Sequence, residues 1–172
     1  IINFDDAFGR ELAMKLLAVD GPQVWGYALS IDAFSGFEKF GVRLKRASTE
    51  STVFTATGYE SQFSCDVSGP CAVQLAVLGE FNLSNCLAVW TVLLAQGLNP
   101  HEASKRMCKL SPVPGRMELV PVNKTQRTEG PLVVVDYAHT PDALTKALNA
   151  LRPIADQCDG KVWCVFGCGG DR

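Results

Sequence analysis

The 172-residue sequence is 47% hydrophobic and 20% charged, with 16 basic and 18 acidic side chains and a formal net charge of −2. This is ordinary for a folded chain with room for one domain or parts of two, and the lack of a Lys/Arg block argues against nucleic acid or an anionic membrane as partner. Apolar stretches are interrupted well short of the ~20 residues that cross a bilayer, and no secretory leader pattern is seen, so a cytoplasmic location is expected.

Neither end reads as a natural terminus. Ile1-Ile2-Asn3 resembles the end of a strand, and Gly167-Cys168-Gly169-Gly170-Asp171-Arg172 is a glycine-rich turn of the kind that leads into a helix. The sequence is therefore expected to be an interior window on a longer protein. Asp5-Asp6 followed by Phe8, Leu12, Leu16 and Leu17 predicts a short amphipathic helix with an acidic start. From Val24 to about Val77, alternation such as Phe40, Val42, Leu44 and Phe63, Cys65, Val67 predicts antiparallel strands in a meander. Phe81 to Gln96 is apolar almost all round, which predicts a buried helix ended by Gly97 and Pro100. A second helix is expected over His101 to Leu110, and Pro112-Val113-Pro114-Gly115 is the best linker candidate.

Past that linker, Leu132 to Val135 is a β-branched run expected to be a strand buried on both faces. Thr140 is placed as N-cap, Pro141 as the first helical residue, and Leu144, Ala147, Leu148 and Leu151 repeat at helical spacing. With Val162 to Phe166 as a second buried strand, the segment predicts a right-handed parallel βαβ unit. The seven cysteines are odd in number and form no CxxC pair, so they are expected to be structural and largely buried. With only two histidines, no metal cluster is expected.

Ligands of parallel α/β sheets bind at the carboxyl ends of strands. Asp136 to Pro141 and Gly167 to Arg172 occupy that position. Asp136, Tyr137 and His139 offer groups for a ribose, a base and a phosphate; alternatively, Asp136 caps a turn and His139 is a solvated loop residue. The second loop is G-x-G-G, equally consistent with a tight turn, and no G-x-x-x-x-G-K-[ST] phosphate cradle occurs. Asn82 and Asn85 lie three apart on one helix face, as an N-cap or as amides for an adenine edge. Arg116 is a salt-bridge residue or a phosphate ligand.

In order, L-G-E-F-N-L-S-N (78–85), P-G-R-M-E (114–118), V-V-D-Y-A-H-T-P-D-A-L (134–144) and V-F-G-C-G-G-D-R (165–172) resemble the MurE branch of the Mur ligases. The first block is shared across the Mur and folylpolyglutamate synthetase superfamily, whereas D-Y-A-H-T-P is more specific to MurE. The resemblance implies an α/β fold: residues 1–113 would form the back of a central ATP-binding domain with antiparallel strands, and 114–172 the first βαβ portion of a Rossmann-like amino-acid-binding domain. It implies that Asn82, Asn85, Arg116, Asp136, Tyr137 and His139 serve the ATP site, and that Arg172 meets a carboxylate of the incoming amino acid. No catalytic residue and no metal ligand is assigned within these residues.

The implied reaction is ATP- and Mg2+-dependent addition of meso-diaminopimelate to UDP-MurNAc-L-Ala-D-Glu in peptidoglycan synthesis, through an acyl phosphate. The preference for diaminopimelate rests on G-C-G-G-D-R. A monomer is expected, and these 172 residues alone are expected not to turn over ATP. The alternatives are a lysine-adding MurE, another Mur ligase, or a MurE-like scaffold without catalysis.

Overall fold

The computed structural model describes residues 1–55, 57–120 and 130–167. Five strands form the main sheet in the order β1 (Ile2–Asn3), β2 (Val24–Ala28), β3 (Leu44–Thr55), β4 (Gly58–Cys65) and β5 (Ser68–Leu75). Contrary to a pure meander, β1–β2 and β2–β3 are parallel, and only β3–β4–β5 is antiparallel. The parallel connections are made by α1 (Ala7–Leu17) between β1 and β2, and by two 3₁₀ turns (Ile31–Phe34 and Glu38–Arg43) between β2 and β3. Thus Phe40 and Val42 lie in a turn rather than a strand, and their alternation misleads.

Helix α1 begins as its acidic start implies, with the Asp6 carboxylate accepting from the Gly9 N–H at 2.9 Å. Its buried face, however, is Gly9, Ala13 and Leu17, while Phe8 and Leu12 are exposed. The small residues win because Gly9 packs directly on Asn3: a Cβ there would lie 1.9 Å from the Asn3 carbonyl oxygen. Phe4, Phe34 and Phe37 join this layer as a ring cluster, with Phe4 centred 4.6 Å from Phe34 and 4.9 Å from Phe37.

The helix α2 (Glu80–Ala95) covers the antiparallel part of the sheet with Leu83, Leu87, Trp90 and Leu94. It is not buried all round, since Phe81, Val89 and Val92 are exposed. Trp90 is fully buried against Phe63, and its indole N–H donates to Ser104 Oγ at 3.0 Å, so the polar edge of a large apolar group is satisfied. The helix ends at Gly97 in the left-handed conformation (φ 88), with Gly97 N–H bonded to Leu94 O and Leu98 N–H to Leu93 O, the paired bonds of a Schellman stop. Pro100 then opens α3 (Pro100–Met107) behind the Asn99 N-cap, so that helix starts and stops earlier than His101 to Leu110.

The remaining elements are β6 (Glu118–Val120), β7 (Val133–Val135) and α4 (Pro141–Gln157). Thr140 Oγ1 caps α4 by accepting from Ala143 N–H, and Pro141 occupies its first turn as expected. Strand β7 is neither parallel nor buried on both faces. It pairs antiparallel with β6, and Val133 and Val135 are exposed. Val162 to Phe166 forms no strand, and Trp163, Val165 and Phe166 are 86%, 99% and 79% exposed. No parallel βαβ crossover is therefore present in this part of the described structure. Apolar β-branched runs favour two-sided burial only where a sheet supplies neighbours, and among the described residues β6 alone pairs with β7.

Of the cysteines, Cys71 and Cys86 are buried and Cys65 half-buried, but Cys108, Cys158 and Cys164 are exposed; Cys168 lies outside the described residues. Among the described residues no helix is long and apolar enough to cross a membrane, and no group of three His, Cys, Asp or Glu could hold a metal ion.

Burial pushes the Cys86 thiol up from 9.0 to about 11. Folding therefore favours its protonated form: as pH rises past 9 the unfolded chain loses this proton first, and stability held below pH 9 is lost as pH climbs towards 11. In urea unfolding across that window, C86A should show a shallower alkaline decline than wild type. Parallel declines would place the alkaline sensitivity elsewhere.

Candidate functional site

Four of the sequence-derived candidates meet where β7 ends and α4 begins. The chain leaves β7 at Val135, and Asp136 turns back over it. Asp136 Oδ2 accepts the Met117 N–H at 2.9 Å, and Oδ1 accepts the Ala138 N–H at 2.8 Å. One carboxylate thus ties the loop before α4 to the turn before β6, and the turn-capping role is real. Met117 is held with φ 48, although it is not glycine, and its side chain is only 1% exposed among Leu78, Ala147 and Ile154.

Arg116 projects from this turn with its guanidinium carbon 5.6 Å from the centre of the Tyr137 ring, within cation–π range. Among the described residues it forms no ion pair. Tyr137 in turn lies 5.3 Å from the His139 ring, and His139 Nδ1 is 3.0 Å from the Tyr137 carbonyl oxygen. Arg116, Tyr137 and His139 are exposed, and Asp136 is half-buried. The result is an open ledge with a cation, two rings and a carboxylate beside the N-terminus of α4, a combination suited to a phosphorylated, ring-bearing ligand.

Asn82 and Asn85 sit apart from this ledge, on the first turns of α2. Neither is the N-cap. That position belongs to Gly79, at φ 86, and Asn82 donates its side-chain N–H to Leu78 O at 2.8 Å. Asn85 is exposed. The two groups are related through Leu78, which accepts from Asn82 and packs beside Met117. Arg172 lies outside the described residues, as does the loop it belongs to beyond Gly167.

Sequence reasoning missed Met117 and Glu118. The Glu118 carboxylate accepts the Gly115 N–H at 2.7 Å, closing the same turn from its other side. The available signal was a glutamate three residues after a glycine, too common a spacing to read in isolation. A cavity of about 590 Å³ lies elsewhere, between the segment just after β2 and strands β3 and β4, with Arg46 and Asp66 at its wall, and none of the predicted site residues lines it.

Comparisons with known proteins place the chain's resemblance in one family. Residues 115–172 match the family described as "Mur ligase, glutamate ligase domain", so the class of protein that the chain resembles is the Mur ligases. Within that class it is similar over its whole length to UDP-N-acetylmuramoyl-L-alanyl-D-glutamate–2,6-diaminopimelate ligases. It is 39% identical to the one from Janthinobacterium sp. (strain Marseille) and 42% identical to the one from Ralstonia nicotianae (strain ATCC BAA-1114 / GMI1000), covering 32% and 31% of them. A solved structure of a ligase of that name superposes with a TM-score of 0.64 at 28% identity, over 99% of this chain and 31% of that one. The chain spans about a third of the length of the curated relatives it matches. The resemblance to the MurE type read from the motifs is borne out, as is the mixed α/β fold.

Both carboxylate oxygens of Asp136 are already engaged by backbone N–H groups, each bond being charge-assisted. D136A should therefore lower the unfolding free energy by about 2–3 kcal/mol, with D136N, which keeps one acceptor oxygen, losing about half as much. Urea denaturation measures this. Unchanged stability in D136A would show that the clamp holds nothing.

Proposed function

We propose that this chain is part of a cytoplasmic, monomeric ligase that adds meso-diaminopimelate to UDP-MurNAc-L-Ala-D-Glu at the expense of ATP, in cell-wall peptidoglycan synthesis. The observation that carries this reading is the gathering of Arg116, Asp136, Tyr137 and His139 on one ledge, in a chain similar throughout to ligases of that name. Residues 1–113 serve as the back of the ATP-binding domain and 114–172 as the start of the amino-acid-binding domain.

In this reading Arg116 contacts the ATP phosphates, a task that suits a guanidinium with no ion-pair partner among the described residues. Tyr137 and His139 flank the nucleotide, and Asp136 turns its remaining lone pairs to the ribose while its other contacts hold the loop. Asn82 and Asn85 offer amides to the adenine, and Arg172 binds a carboxylate of the incoming amino acid. ATP supplies a phosphoryl group to the γ-carboxylate of D-Glu, and the amine of diaminopimelate then displaces phosphate from that acyl phosphate. Magnesium accompanies ATP in such chemistry, held by one or two carboxylates together with the phosphates, and in this reading its protein ligands lie outside this segment.

The test is ligation by the intact ligase containing this segment, given UDP-MurNAc-L-Ala-D-Glu and ATP with either meso-diaminopimelate or L-lysine. Phosphate release and product mass with diaminopimelate alone are expected. Lysine alone would overturn the substrate, and no turnover by folded protein would favour a scaffold. In the same protein, R116A should raise the KM for ATP at least about tenfold, the worth of one charged hydrogen bond, with its melting temperature unchanged. An unchanged KM and kcat would remove Arg116 from the site.

A further inference from the structure

The turn carrying Arg116 is more firmly built than an exposed linker requires. Gly115 at φ 69 and Met117 at φ 48 both occupy the left-handed region, which costs a side-chain-bearing residue about 1–2 kcal/mol. Between them, the Arg116 N–H is bonded to Val113 O at 3.0 Å. Two carboxylates from different places hold this shape. Asp136 takes the Met117 N–H, and Glu118 folds back to take the Gly115 N–H at 2.7 Å. Glu118 is at the same time the first residue of β6, in register with Val135. Its side chain therefore fastens the turn to the two-stranded sheet that leads into Asp136.

The consequence falls on Arg116. Glu118 stands two residues away, yet no salt bridge joins them. The carboxylate is engaged by the Gly115 backbone, and the guanidinium lies over Tyr137 instead.

We propose that Glu118 is a positioning residue: by binding the Gly115 N–H it sets the turn and keeps its own charge off Arg116, so that the guanidinium stays over Tyr137 and open to an anion. The anion's identity as a nucleotide phosphate rests on the function proposed above; the positioning does not.

The test is proton NMR of wild type, E118A and E118Q in this chain, following nuclear Overhauser contacts between the Arg116 side chain and the Tyr137 ring. These contacts are expected in wild type and in E118Q, whose amide oxygen still accepts from Gly115. They are expected to vanish in E118A, while contacts from the Met117 methyl to Ala147 and Ile154 persist. Arg116–Tyr137 contacts unchanged in E118A would overturn the proposal. So would their loss together with the Met117 contacts in both variants, which marks a merely structural role. Should E118A be unfolded by circular dichroism, E118S, too short to reach Gly115, carries the same expectations. Adding ADP to the wild type tests the nucleotide reading separately: unmoved Arg116 and Tyr137 signals would count against that reading and leave the result for Glu118 standing.

Discussion

Met117 combines burial with a backbone conformation that methionine disfavours, and the Asp136 carboxylate is what reconciles the two. The left-handed conformation costs about 1–2 kcal/mol. Burying the side chain among Leu78, Ala147 and Ile154 returns about 1.5–3 kcal/mol, and a hydrogen bond to a charged acceptor adds about 1.5–3. Neither gain is secure alone, because an unbonded buried N–H would offset most of the burial. Together they exceed the strain, and the turn bearing Arg116 becomes a defined object rather than a linker.

The same buried cluster joins the two halves of the chain. Leu78 precedes the Gly79 start of α2, and its carbonyl oxygen receives the Asn82 side chain. Its own side chain packs with Met117 and with Ala147 and Ile154 from α4. The first turn of α2 and the ledge at β7–α4 are thereby referred to one small apolar contact. A change at Leu78 would disturb the setting of Asn82 and the support of Met117 together, without touching any group that faces solvent on the ledge.

Local chemistry was legible where a few neighbouring residues decide it. The Thr140 cap with Pro141 behind it, the stop at Gly97 and the β3–β4–β5 meander all follow from spacing and residue type. Parallel pairing of β1, β2 and β3 was not legible, because it depends on contacts across α1 and across 3₁₀ turns whose Phe40 and Val42 imitate strand alternation. The face of α1 was misread by one residue, since Gly9 is selected by its approach to Asn3 rather than by hydrophobicity. At the ledge, residue types and the motif resemblance singled out Arg116, Asp136, Tyr137 and His139 as candidates, and the fold brings the four together. The work of Glu118 and Met117 stayed hidden, because it lies in backbone torsion and in an N–H bond that no residue pattern displays.

Departures from local preference are informative where they coincide with candidate chemistry. Backbone preference alone would place glycine or asparagine at position 117, as at other left-handed turns, and charge attraction alone would pair the cation with the carboxylate two residues away. Here methionine keeps the strained position and the nearby glutamate is turned to the backbone, while the guanidinium rests on an aromatic ring that is itself 57% exposed. Strain held by surrounding contacts, beside a charge without an ion-pair partner among the described residues, is the pattern expected of a pre-organised site. Burial gives a reason for Met117, but none for the guanidinium's place over the ring. The anion recognition proposed for Arg116 would give each part a use: the fixed torsion limits the reorganisation needed on binding, and the ring holds the guanidinium without neutralising it.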